Sequence, residues 1–232
     1  MNRRNVLFTL IASLSASLLY AGQASEAQAV EMKASDGMKV TGTLYGTSHT
    51  ALILCHGRGY LTGADSFAQE CRLLQARGLM CLAINFRGYP AKAPPDLPGM
   101  ELDVLAAFDL LARRGARSIY LLGSSMGGVA VYKALEELKA RPRFAGFIIL
   151  SASYPRVCRR VGGRKLFVVA EDDRALYPKV LATFIEAGSP KQAVVFRKGG
   201  HGQALLKTHR EELLDLIALL ASRPPAKTTN GP

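Results

Sequence analysis

The chain has 232 residues and a net charge of +12, from 30 Lys and Arg against 18 Asp and Glu; 49% of its residues are hydrophobic and Trp is absent. That length supports one domain with a good core. The positive surplus draws the chain toward anions, but there is no dense Lys/Arg block interleaved with aromatics and no nucleic-acid-binding motif, which excludes nucleic acid as the partner.

The N-terminal stretch reads as a targeting signal. Arg3 and Arg4 precede a moderately apolar segment from Val6 to Tyr20, then a small-residue region ending Ala27-Gln28-Ala29. This is the pattern of a secretory signal with an A-x-A cleavage site, and its apolar part is short for a membrane span. Cleavage after Ala29 is the first choice and after Ala24 the second. The arginine pair followed by Asn5, Val6 and Leu7 is similar to a twin-arginine export signal, and equally to an ordinary signal that happens to begin with two arginines. Both routes predict a periplasmic or secreted protein with no stable membrane insertion after cleavage. Residues 1–29 are then the signal peptide, 30–223 the folded domain and 224–232, with three prolines, a glycine and polar residues, a disordered tail.

Within the domain, Val30 to Tyr45 reads as a hairpin around Asp36-Gly37, a strong turn signal. Ala51–Cys55 is a short apolar run ending at His56-Gly57, a strand buried on both faces. Asp65–Ala76 has helical spacing and stops at Gly78. Met80–Phe86 is a strand, Met100–Arg114 a helix, Ser118–Leu122 a strand and Met126–Ala140 a helix. Phe144–Leu150 and Leu166–Ala170 are strands, followed by a helix from Tyr177 to Ala187. Ala193–Phe196 is the last strand, and one helix from Gly202 to Ala221 closes the chain. Strands alternating with helices predict a mostly parallel, twisted α/β sheet covered on both faces, with an N-terminal antiparallel hairpin. In such a sheet the parallel strands end at a common edge, where ligands bind.

The residues that follow the strands therefore meet. They are His56-Gly57-Arg58-Gly59, Arg87-Gly88-Tyr89, Ser125, Glu171-Asp172-Asp173 and Gly199-Gly200-His201-Gly202. Gly123-Ser124-Ser125-Met126-Gly127 fits G-x-S-x-G, a sharp strand-to-helix turn that raises a serine into a site; a plain turn is the bland reading, and a phosphate loop lacks its Gly-Lys-Ser/Thr ending. A serine hydroxyl needs an adjacent base, histidine suits that task at neutral pH, and a carboxylate fixes the ring's tautomer. Ser125, not Ser124, is central between the glycines. His201 follows the last strand in a glycine-rich loop, from which its ring can swing to the rim, whereas His49 and His56 precede the serine and His209 lies inside the predicted last helix, a helix-surface position. The acids between the elbow's helix and His201 are Glu171, Asp172, Asp173 and Glu186, the last of them late in a helix.

On His56-Gly57, Phe86-Arg87-Gly88-Tyr89, Gly123 to Gly128, Val169 to Asp173 and His201-Gly202, the chain resembles the α/β-hydrolase superfamily, and within it the small serine esterases and dienelactone-hydrolase-like enzymes. The resemblance covers nearly all of the domain. It implies the α/β-hydrolase fold, and a catalytic Ser125, His201 and acid. Matching Ala170 to the family's G-x-x-D turn selects Asp173, with Asp172 second. It also implies an oxyanion hole from the backbone N–H groups of Met126 and Arg58. The elbow carries serine where many dienelactone hydrolases carry cysteine, and Ala170 stands where the family has glycine. About a dozen residues separate the strands ending near Ser151 and starting near Leu166, too few for a cap domain. An open, shallow site without Trp suits a short-chain or small polar acyl ester, by an acyl-enzyme mechanism without metal or organic cofactor. Arg87 and Tyr60 are expected to line the substrate; Arg87 with Arg156 and Arg159 would select anionic groups, while a structural Arg87 is the bland alternative. Thioesterase, acyltransferase or peptidase action could use the same triad, and a non-catalytic binding protein could use the same fold.

Two features remain. The run Arg156 to Lys165 holds five positive charges and no acid, a solvated surface or an attraction to an acidic substrate or envelope surface. Cys55, Cys71, Cys81 and Cys158 have no zinc spacing. Cys55 and Cys81 read as core residues, and Cys71 with Cys81 is the first pair to examine for a disulfide in an exported chain.

Overall fold

The computed structural model of the chain describes residues 26–59, 63–89, 98–154 and 158–222. The signal segment through residue 25, Tyr60, Arg156 and the tail at 224–232 lie outside the described residues.

Eight strands form one sheet: β1 (Gln28–Lys33), β2 (Lys39–Tyr45), β3 (Thr50–Cys55), β4 (Met80–Asn85), β5 (Ser118–Ser124), β6 (Phe144–Leu150), β7 (Arg164–Ala170) and β8 (Lys191–Phe196). Their order across the sheet is β1-β2-β4-β3-β5-β6-β7-β8. The β1–β2 and β2–β4 pairs are antiparallel and the others parallel. The hairpin forms at the predicted turn, with Lys33 opposite Lys39 and Gly37 at φ 89°. That left-handed conformation is available to glycine without steric cost.

The helices are α1 (Ala68–Ala76, preceded by a 3-10 turn at Ala64–Phe67), α2 (Met100–Arg113), α3 (Met126–Leu138), α4 (Tyr177–Glu186), α5 (Ala204–Thr208) and α6 (Arg210–Ser222). Alternation along the strands divides the core in two. Ile53, Leu82, Leu121, Ile149, Phe167 and Val169 pack with α2, α3 and α4 on one face. Leu52, Leu54, Tyr120, Leu122, Ile148 and Val168 pack with α1, α5 and α6 on the other. β3, β4 and β5 are fully buried through most of their length, which explains why they read as continuous apolar runs. No described helix is long and apolar enough to cross a membrane.

Three expectations change. The closing helix is two helices, because the chain breaks at His209 (φ −124°, ψ 41°). The His209 ring stacks on Phe196 with centroids 3.7 Å apart, and its Nε2–H donates to the Lys198 carbonyl at 2.6 Å. His209 is thus a loop brace and not a helix-surface residue. All four cysteines are free and buried, so Cys71 and Cys81 form no disulfide. Lys165, assigned to a basic surface run, begins the buried part of β7 and is 1% exposed.

Lys165 Nζ donates to the Gly163 carbonyl at 3.0 Å. Burial lowers its pKa to about 8, and the charge of Lys191 acts in the same direction. An unfolded lysine keeps its proton up to about 10.5, so between these values the unfolded chain binds more protons and stability rises with pH. Lys165→Met is therefore expected to raise Tm by about 2–4 °C at pH 7. Calorimetry across pH should show this advantage shrinking from pH 8 upward, as Lys165 itself becomes neutral.

Candidate active site

The site begins with the turn between β5 and α3. Ser125 sits at φ 51°, ψ −114°, a conformation that a non-glycine residue holds only when its surroundings enforce it. Two glycines let those surroundings close in. A Cβ on Gly123 would lie 2.6 Å from Gly128 Cα, and one on Gly127 would lie 2.4 Å from the Cys55 carbonyl oxygen. Helix α3 can therefore start directly against the ends of β5 and β3. Ser125 is half-buried, whereas Ser124 points into the interior at 1% exposure with its hydroxyl unpaired.

Ser125 Oγ lies 2.7 Å from His201 Nε2, and His201 Nδ1 lies 2.7 Å from Asp173 Oδ2. Since an ionised carboxylate only accepts, Nδ1 carries the ring proton and Nε2 is left to accept from the hydroxyl. The three predicted residues thus form a continuous hydrogen-bonded series. Asp173 is shielded, its side chain 8% exposed, and His201 is open at 48%.

The neighbouring acid has a different task. Asp172 accepts from the Gly199 and Gly200 N–H groups at 3.2 and 3.1 Å. Together with His209 on the Lys198 carbonyl, it holds the loop that carries His201. The choice between two adjacent acids therefore resolves into two functions, one on the ring and one on the ring's loop.

Met126 is the first residue of α3, where backbone N–H groups lack intrahelical partners. Arg58 follows the Gly57 peptide, and that peptide is oriented by His56. The Phe86 N–H donates to His56 Nε2 at 3.3 Å, so Nδ1 carries the proton and donates to the Gly57 carbonyl at 2.7 Å. Burial lowers the His56 pKa, in keeping with a neutral ring. Because a trans peptide directs its C=O and N–H oppositely, holding the Gly57 carbonyl on His56 turns the Arg58 N–H away from it. Gly57 itself passes close to Ser125, its Cβ position 3.5 Å from Ser125 Cβ.

Arg87 does not face the mouth, which corrects its reading as a substrate-binding residue. It is 7% exposed. Its Nε and Nη2 donate to Asp103 Oδ1 at 2.9 and 2.7 Å, and Nη1 donates to Asp36 and to the Pro98 carbonyl. The guanidinium thus ties the hairpin turn and α2 to the loop after β4. Neither acid was connected to it by sequence spacing. Gln203, which bonds the Gly57 N–H and Ser66, also carried no sequence signal.

Residues 52–165 match the model of the alpha/beta hydrolase family. No curated protein matches the sequence. Among solved structures, the chain is similar to an esterase of Pyrococcus furiosus (TM-score 0.72, 15% identity, covering 87% of this chain and 93% of that one). It is also similar to a dienelactone hydrolase from Anabaena variabilis (0.69, 17%, 84% and 96%) and an esterase from Exiguobacterium antarcticum (0.67, 15%, 83% and 99%). The chain has the α/β-hydrolase fold, in the form shared with these esterases.

Removing Arg87 would leave Asp103, 0% exposed, as a buried charge without its main partner. Arg87→Ala is expected to lower the unfolding free energy by about 3–5 kcal/mol, read from denaturant titration.

Proposed function

We propose that this α/β hydrolase is an exported serine hydrolase, a carboxylesterase for short-chain or small polar acyl esters. The observation that carries the reading is the unbroken series from Ser125 Oγ through His201 to Asp173. In the proposed reaction Ser125 attacks the ester carbonyl as His201 Nε2 takes its proton. The resulting imidazolium is stabilised by Asp173. The carbonyl oxygen becomes negative and is met by the Met126 and Arg58 N–H groups; one such donor contributes roughly 10²–10³ in rate. His201 returns the proton to the departing alcohol. Water, activated by the same ring, then releases the acid from Ser125.

The short connection between β6 and β7 supports a small substrate. Only a 3-10 turn at Cys158–Arg160 is described within it, which leaves little material for an apolar wall over the acyl chain. The structurally similar esterases and dienelactone hydrolase support ester chemistry as the reaction class.

A fluorophosphonate probe is expected to label the protein, and a panel of acyl esters to show preference for short chains. Ser125→Ala should lose labelling and reduce turnover by about 10⁴-fold or more. Ser124→Ala, which removes an unpaired buried hydroxyl, should retain both. Labelling that survives Ser125→Ala would discard the mechanism.

Export rests on the N-terminal pattern. Strand β1 begins at Gln28, and Gln28 and Ala29 pair with Leu44 and Thr43. Cleavage after Ala29 would remove two paired residues, whereas cleavage after Ala24 keeps the strand whole. N-terminal sequencing of protein recovered from the periplasm or medium is expected to begin at Ser25.

A further inference from the structure

We propose that Gln203 is a positioning residue that couples the loop bearing His201 to the loop bearing the Arg58 oxyanion donor. Gln203 stands two residues after His201, immediately before α5. Its Oε1 accepts from the Gly57 N–H at 3.0 Å. Its Nε2 donates to Ser66 Oγ at 2.8 Å, and Ser66 Oγ–H donates to the Gly63 carbonyl at 2.6 Å. The direction of this chain of bonds is fixed at both ends. A backbone N–H can only donate and a backbone carbonyl can only accept, so the amide of Gln203 has one satisfactory orientation.

The consequence lies in which peptides are held. Gln203 fixes the N–H of Gly57, and His56 fixes its carbonyl. The two bonds hold Gly57 on both sides, and with it the plane of the peptide that presents the Arg58 N–H. An oxyanion donor assists only where it already points at the developing charge. Ser66 connects the other end of the amide to the turn before α1, so the clamp is referred to the body of the fold as well as to the His201 loop. Losing it should loosen the donor while leaving the Ser125–His201–Asp173 series in place.

This inference rests on the serine-hydrolase reading, and its test separates the two. Gln203→Met keeps the side chain's length while removing its hydrogen bonds. With a short acyl ester, kcat is expected to fall about 10- to 100-fold, less than outright removal of a donor, and KM to stay within about twofold. A trifluoromethyl ketone, whose adduct places a negative oxygen in the same position, should lose affinity in proportion to kcat/KM. The pH at half-maximal kcat/KM should not move, because the partners of His201 are unchanged. Ser66→Ala should reduce kcat in the same direction by a few-fold, and it carries the same test should Gln203→Met fail to fold. Wild-type kcat in both variants overturns the proposal. So does a pattern of lowered Tm and raised KM with undiminished ketone affinity, which marks a merely structural side chain. Amide hydrogen exchange at Gly57 supplies the independent arm. If the wild-type protein turns over no ester, faster exchange in Gln203→Met supports the clamp and discards only the reaction, whereas unchanged exchange discards the clamp itself.

Discussion

The backbone at Ser125 is held at a positive φ by the meeting of three close-packed elements: the end of β5, the end of β3 and the first turn of α3. A residue left to itself relaxes from that conformation, at a gain of order 1–3 kcal/mol. Here relaxation is opposed by the close packing of main chain around the turn. Gly123 and Gly127 let main chains approach to distances that any Cβ would block, and β3 and β5 are paired on both edges at the middle of the sheet. The strain is thus supported by the buried centre of the sheet. Its product is a hydroxyl raised above the strand ends and a set of helix N–H groups beside it, both delivered by one turn.

Around this fixed point the other contributors arrive on loops, and loops need holding. Each is tied by polar bonds to main-chain groups. His56 and Gln203 hold the two peptides that flank Gly57, Asp172 and His209 hold the segment from Lys198 to Gly200, and Asp103 with Asp36 holds Arg87 in the loop after β4. These bonds link loops distant in sequence, such as Gly57 with Gln203. Pairing loop backbone groups and aiming functional ones are here the same act, since each bond that pairs a loop N–H or carbonyl also fixes the plane of a peptide.

That arrangement explains what the sequence made legible. The strands were readable because buried parallel strands are uninterrupted apolar runs, and β6 was found at both its ends. The elbow was readable because its glycines answer a steric demand local to five residues. Ser125 and His201 followed from topology, since alternating strands and helices bring strand ends to one rim. Less could be read where the deciding contact is distant. Nothing near His209 announces a helix break, because the cause is Phe196 and the Lys198 carbonyl reached through the fold. Arg87 looked available beside the rim until Asp103 and Asp36 were placed against it. Lys165 looked solvated because its neighbours in sequence are basic, but strand alternation turns it inward beside Phe167 and Val169. Gln203 has no local signature at all: its partners are 146 and 137 positions away.

The exposure gradient along the relay bears on the kind of chemistry it favours. Asp173 is shielded and His201 is nearly half exposed. A charge on the ring therefore faces its carboxylate across a weakly screened side, where their attraction is strongest, and meets solvent on the other. The shielded side holds the tautomer. In the proposed acyl-enzyme cycle, a ring this open would leave room for the water of the second half-reaction. Transfer of the acyl group to any other acceptor would require water to be kept from the same ring. With an open histidine on a firmly held loop, hydrolysis is the outcome that the arrangement of wet and dry surfaces favours.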